Sequence, residues 1–98
     1  MNNPVMVILR WHDDPEAALE RYEQAVATWR ERSGGHAREP ARVIAGRSDR
    51  GGLVVVNLFA SEQDHHALHA VRDLLSDAGH ATPEIERVEV MIQEPRID

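Results

Sequence analysis

Two segments of this 98-residue chain are apolar at almost every position. They are Val5 to Leu9 and Leu53 to Phe59, and Asn57 is the single polar residue of the second segment. Because side chains alternate between the two faces of a β-strand, a strand with one solvated face should alternate apolar and polar residues. Neither segment does, so both are predicted to be strands of a sheet that is covered on both faces. The chain's own helices can cover one face, and the sequence predicts that a second copy of the chain covers the other.

Two further stretches carry apolar residues at helical spacing. The first should be capped by Asp13 or Asp14 and run to about Arg32. The second should begin at the cap residue Ser61 and end at Gly79. Their apolar stripes are Leu19, Tyr22, Val26 and Trp29 in the first helix, and Leu68, Val71, Leu75 and Ala78 in the second. These stripes are predicted to dock on the sheet.

The remaining strands complete a recognisable order of elements. Turn residues Ser48 to Gly52 should join a strand at Ala41 to Arg47 to the apolar run at Leu53 to Phe59 as a hairpin. Ile85 to Ile92 alternates apolar and other residues, which is typical of a partly solvated or edge strand. With a first strand at Pro4 to Trp11, the order is β-α-β-β-α-β. This order predicts one α+β domain over residues 1–98, with a ferredoxin-like, four-stranded antiparallel sheet and two helices on one face.

The charge and composition narrow the class of partner and compartment. The 17 acidic residues outnumber the 11 basic ones, and the resulting formal charge of -6 repels phosphate backbones and anionic membrane surfaces. We therefore predict neither a nucleic-acid partner nor a membrane partner. The absence of cysteine excludes disulfides and thiolate catalysis. Because no run reaches the ~18 apolar residues of a membrane span, a cytoplasmic protein is expected.

The length, element order and doubly apolar sheet resemble those of the dimeric α/β-barrel superfamily, whose best-known branch is the antibiotic biosynthesis monooxygenase-like domain. A local similarity is a strand that ends in an aromatic residue, followed by a Ser-Glu helix start and nearby histidines: here Phe59, Ser61, Glu62, His65, His66 and His69. Phe59 stands where Trp is common in that family. The resemblance implies a homodimer in which two sheets face each other as a barrel. It also implies a substrate cleft between each sheet and its helices, and for some members the oxidation of polycyclic phenols without a cofactor.

Three residues are candidates for catalysis. His12 follows the first strand at the expected mouth of the cleft, where an imidazole with a pKa near neutrality can act as a general base. Asn57 lies in the most apolar strand, so its amide either bonds within the core or lines a cavity that receives a ligand or water. Tyr22 lies on the inward stripe of the first helix, where it either fills core or offers its hydroxyl to a substrate.

Four more residues are candidates for substrate binding: Arg10, Trp11, Trp29 and Phe59. Arg10 is on the same strand face as His12, and it either binds an anionic oxygen or pairs with Asp13 or Asp14. Trp29 either fills core or forms a wall against which a flat substrate stacks.

The histidines of the second helix have the spacing of a metal site. His65 and His69 are four residues apart, which lets two imidazoles share a metal ion. At 100° per residue they fall on the side away from the apolar stripe, so a metal would need ligands from another element. We predict a solvated, titrating face there, with no metal site and no cofactor.

These observations favour a bacterial small-molecule enzyme or binder that uses a cleft between sheet and helices, with cofactor-independent monooxygenation as its chemistry. A small aromatic or hydrophobic compound is the expected ligand. The alternative is a non-catalytic homodimeric module that binds a metabolite or a protein. The two hypotheses differ in the cleft, because an open volume of about 300 Å³ or more favours the enzyme and a filled one favours the module.

Overall fold

The computed structural model describes residues 4–34, 39–60, 67–91 and 94. Over these residues the elements are, in chain order, β1 (Val5–Trp11), α1 (Pro15–Arg32), β2 (Arg42–Arg47), β3 (Leu53–Phe59), α2 (Ala67–Asp77) and β4 (Glu84–Glu89). The predicted β-α-β-β-α-β order is confirmed, and β3 has the bounds that the apolar run predicts. The predicted cap at Ser61 and the histidines His65 and His66 lie outside the described residues.

The four strands of the described chain form one antiparallel sheet in the order β2-β3-β1-β4. The two apolar strands are therefore adjacent at the centre, where Val7 lies opposite Asn57 and Leu9 opposite Val55. The alternating strand β4 pairs only with β1, which confirms its prediction as an edge. It ends at Glu89, earlier than the predicted Ile92, although the Val90 amide still donates to the carbonyl of Pro4.

Helix α1 begins where the sequence provides its cap. The Asp14 carboxylate accepts a hydrogen bond from the amide of Ala17 at 3.0 Å, and Pro15 occupies the first turn. Such a cap satisfies amides that have no partner within the helix. Asp13, the other candidate cap, instead forms an ion pair with Arg21.

One face of the sheet carries the core. Both central strands bury every second residue, and both helices pack on that face. The buried positions of α1 are Ala18, Tyr22 and Ala25. Small alanines let this helix approach the sheet, whereas the larger Leu19, Val26 and Trp29 of the predicted stripe are only half-buried. Those three side chains are free to line a space beside the core.

The turn of the β2–β3 hairpin requires glycine at position 52. Gly52 has a φ of +88°, and a Cβ atom there would lie 1.9 Å from the carbonyl oxygen of Trp11. Gly51 has the same φ but nothing within 4 Å of a built Cβ. The amide of Ser48 donates to the carbonyl of Gly52, and that of Gly51 donates to the carbonyl of Ser48. The predicted hairpin is therefore confirmed, and its close approach to β1 fixes the residue at position 52.

The opposite face of the sheet carries no helix of the described chain. Cross-strand register arranges its side chains in three rows of four, here called the open face. The rows read, from β2 to β4, Arg42, Leu58, Met6 and Val88; then Ile44, Val56, Ile8 and Glu86; then Gly46, Val54, Arg10 and Glu84. Ile44 is 59% exposed. The open face is therefore mostly apolar, as the doubly apolar strands predict.

Candidate ligand-binding cleft

A cleft of about 460 Å³ lies between the sheet and the helices. Its floor comes from β3, one wall from α1, and the remaining sides from β2 and α2. Apolar side chains dominate the lining and include Leu19, Val26, Trp29, Val43, Phe59 and Leu68. Its volume is above the threshold of about 300 Å³ that distinguishes an open binding site from a filled core. It is large enough for a molecule of two or three fused rings.

Asn57 and Tyr22 form the polar pair of this cleft. The Tyr22 hydroxyl donates to Oδ1 of Asn57 across 3.4 Å, which joins α1 to β3 at the buried end of the cleft. Asn57 is 1% exposed, and its Nδ2 has no hydrogen-bond partner in the described part of the chain. Rotating the Asn57 amide by 180° would exchange Oδ1 and Nδ2. The Tyr22 hydroxyl could then accept from Nδ2, and Oδ1 would be the atom without a partner. The cleft therefore contains one buried amide group with unused hydrogen-bonding capacity.

The Tyr22 hydroxyl is held in its neutral form. Burial raises the pKa of Tyr22 above its ordinary value of 10.0, and the hydrogen bond to Asn57 and the charge of Arg30 oppose that shift. The ring also packs edge-on against Trp11, with centroids 5.5 Å apart and planes at 66°. A neutral phenol at a fixed position can donate a hydrogen bond but cannot act as a base near neutral pH.

Charged residues lie at the mouth of the cleft. Arg30 on α1 forms an ion pair with Glu39 of the segment that enters β2, and Glu23 lies two helical turns nearer the start of α1. The Arg30 and Glu39 side chains are about half exposed. Exposed ion pairs contribute little to stability. Their consequence here is a polar rim around an apolar interior.

The structure separates His12 from the other two catalytic candidates. His12 follows β1, five residues beyond the Val7 position that faces Asn57, which is about 17 Å at the rise of a strand. Its side chain is 72% exposed and its Nε2 lies 2.9 Å from Glu84. A base at that position cannot reach a molecule beside Asn57.

The four substrate-binding candidates also divide into two groups. Trp29 and Phe59 line the cleft. Trp11 is 3% exposed, donates from Nε1 to the carbonyl of Ala81, and supports Tyr22 from behind. Arg10 lies on the open face and pairs with Glu86 at 2.9 Å, so neither predicted partner, Asp13 or Asp14, binds it.

Several cleft residues escaped the sequence analysis because they come from elements that contribute only side walls. Val43 and Ala45 on β2 face the cleft because they lie opposite Asn57 and Val55. That placement follows from register, which the sequence of β2 alone does not reveal. Leu68 and Val71 were predicted as core, and the same stripe also closes the cleft.

Of the predicted histidine cluster, His69 is the residue that the structure describes. His69 is exposed on α2, and it is not among the lining residues. Within the described ranges, no group of three His, Cys, Asp or Glu side chains is placed to hold a metal ion.

Among the comparisons with known proteins, the comparison of structures gives a match. No protein-family model matches it, and no curated protein matches it. A search of solved structures finds a putative antibiotic biosynthesis monooxygenase from Caulobacter crescentus CB15, with 16% identity over 93% of this chain and 92% of that chain and a TM-score of 0.55. The two proteins share one fold. The predicted antibiotic biosynthesis monooxygenase-like architecture is thereby confirmed, and at this identity the likeness concerns the fold alone.

Neither α1 nor α2 is long and apolar enough to cross a lipid bilayer.

Proposed function

We propose that this protein binds a small, flat, mostly apolar molecule in the cleft and that an oxygen atom of this ligand contacts Asn57. The unpartnered Nδ2 of Asn57 carries the proposal. A buried donor without an acceptor costs about 1 to 3 kcal/mol of stability. A ligand oxygen at this point would remove that penalty, while Trp29 and Phe59 supply surfaces against which a ring can pack.

We further propose that the bound molecule is a substrate for oxidation by dioxygen without a cofactor. An electron-rich phenol or enol that loses its proton can itself react with dioxygen. In the balanced overall reaction, a ring CH₂ group and O₂ give a ring C=O group and water. Negative charge develops on the substrate oxygen, and donors fixed before the reaction stabilise such charge. Asn57 Nδ2 is the unpartnered donor of the polar pair in the cleft, and the Tyr22 hydroxyl, which donates to Asn57 Oδ1, holds the amide in that orientation.

The proton acceptor in this proposal is not His12, which lies too far away. The lining residues that can accept a proton are Glu23 and Glu39, both at the mouth. A substrate with an acidic phenol or enol would also ionise without help from the protein. The proposal therefore favours substrates whose pKa lies near neutrality.

A homodimer is the second part of the proposal. The open face presents a patch of apolar side chains that no helix of the described chain covers, and such patches mark interaction sites. A second copy of the chain presents the same apolar face, so two copies can cover each other's open face. The cytoplasm is the compartment we propose, because a chain without cysteine is compatible with a reducing environment.

Ligand titration tests the binding site. We expect 2-naphthol to quench the tryptophan fluorescence and to bind more tightly than naphthalene, which has the same ring system without the oxygen. In Asn57→Leu the ratio of the two dissociation constants should fall by about tenfold. That factor corresponds to about 1.4 kcal/mol, the contribution of one hydrogen bond. Equal discrimination by the wild type and Asn57→Leu would overturn the role of Asn57.

Catalysis needs its own measurement. Oxygen consumption should accompany loss of an acidic bicyclic phenol, and it should fall in Tyr22→Phe, whereas His12→Ala should react at the wild-type rate. Binding without oxygen consumption across a panel of such phenols would favour the non-catalytic binding module.

A further inference from the structure

The charges of the open face are placed so that only one packing of two copies satisfies them. Among its twelve positions, one corner carries Arg42 and the diagonally opposite corner carries Glu84, with Glu86 beside it. The Arg10 guanidinium already pairs with Glu86, and the Nε2 of His12 lies 2.9 Å from Glu84; counted with histidine neutral, the acidic corner keeps one net negative charge, on Glu84. Arg42 is exposed and has no ion-pair partner within the described residues.

We propose that two copies pack by their open faces with Arg42 of each copy against Glu84 of the other, so that the strands of the two sheets cross at a steep angle. This inference rests on the homodimer proposed above and adds its geometry. It names the side chains that set the orientation of one copy on the other.

The argument follows from symmetry. Two sheets packed face to face by a two-fold axis have that axis in the plane between them, and each contact occurs twice. The open face is nearly square, because three rows at twice the rise per residue and four strands at about 4.8 Å both span about 14 Å. Four directions of the axis superpose such a patch on itself.

Three of these directions leave the charges unmatched. An axis along the strands places Arg42 over Val88 of the partner subunit, and an axis across the strands places it over Gly46 of the partner subunit. One diagonal axis places Arg42 over its own equivalent and Glu84 over its own equivalent, which brings like charges together at both corners.

The remaining diagonal axis exchanges the basic and acidic corners. Arg42 then meets Glu84 of the partner subunit twice, and the apolar centre of the patch, Val56 and Ile8, stays on the axis. A two-fold axis at about 45° to the strands makes the strands of the two sheets cross at about 90°, which is the orthogonal class of sheet packing. Like charges in an interface oppose association and opposite charges fix its register, so this arrangement is the one that the sequence of the face selects.

Charge exchange tests the register. The dimer dissociation constant, measured by sedimentation equilibrium, should rise by at least about tenfold in Arg42→Glu and in Glu84→Arg, because each change creates two like-charge contacts. The double variant restores the opposite charges in reversed order and should return the constant to near the wild-type value. Arg32→Glu and Glu20→Arg change the net charge equally from exposed positions on α1 and should leave it unaltered.

The outcomes separate this inference from the proposal beneath it. A wild-type monomer would overturn both the dimer and its register. A wild-type dimer that Arg42→Glu does not weaken, or that the double variant does not restore, would overturn the register and leave the dimer standing. Should a reversed charge prevent folding, Arg42→Gln provides the second measurement. Its dissociation constant should depend less on sodium chloride than that of the wild type, and equal salt dependence would contradict the pairing.

Discussion

Asn57 illustrates how one residue can oppose stability in order to keep a site. Its amide is buried in an otherwise apolar strand and uses only part of its hydrogen-bonding capacity. We predict that Asn57→Leu combined with Tyr22→Phe raises the free energy of unfolding by about 1 kcal/mol, because the two changes together remove the unsatisfied amide and leave no buried hydroxyl without a partner. Urea denaturation measures the change. Val55→Ala, two residues away on the same face of β3, should instead lower the free energy of unfolding.

Tyr22 gives a second prediction at the residue scale. Because its pKa is raised by burial, the folded state retains the phenol proton more strongly than the unfolded state, and the stabilisation is fully present below pH 10.0. It is lost as the pH rises through the folded pKa. Tyr22 is the only tyrosine of the chain, so absorbance of the phenolate near 295 nm reports its titration alone. A midpoint at or below the ordinary value would contradict its buried, neutral state.

At the scale of the elements, the hairpin between β2 and β3 provides a matched pair of substitutions. Gly51 and Gly52 share a φ of +88°, but only Gly52 would bring a Cβ atom against backbone. We predict that Gly51→Ala costs about 1 to 2 kcal/mol from conformational strain. Gly52→Ala should cost about 1 to 3 kcal/mol more, as an overpacked position does. Chemical denaturation of both variants measures the difference, and equal losses would mean that the contact with Trp11 yields easily.

The elements also mark where sequence reasoning reached its limit. Apolar runs, caps and turn residues predicted β1, α1, β3 and the hairpin because these signals act over a few neighbouring residues. The site needed information that is not local. His12 and Asn57 both lie on or beside apolar strands, yet the register of β1 and β3 places them at different ends of the sheet. Likewise, the sequence of β2 does not indicate which of its residues face the cleft. The pairing of Val43 with Asn57 places Val43 there.

At the scale of the whole molecule, the open face predicts that stability depends on concentration. If two copies bury this face, the temperature of unfolding should rise with protein concentration, because association stabilises the folded state. Val56→Asp at the centre of the face should give a monomer whose unfolding temperature no longer changes with concentration. Ala27→Asp, an exposed position on α1, is the control for the added charge. A wild-type unfolding temperature independent of concentration would argue against association.

Strand β2 belongs to both surfaces of the molecule. Val43 and Ala45 form a wall of the cleft, while Ile44 and Arg42, which alternate with them, lie on the open face. Because the two sets of side chains alternate along one strand, any displacement of β2 moves both sets together. Under the proposed function, a ligand that displaces β2 would therefore change the affinity between two copies, and association of the copies would change the ligand affinity by the same factor.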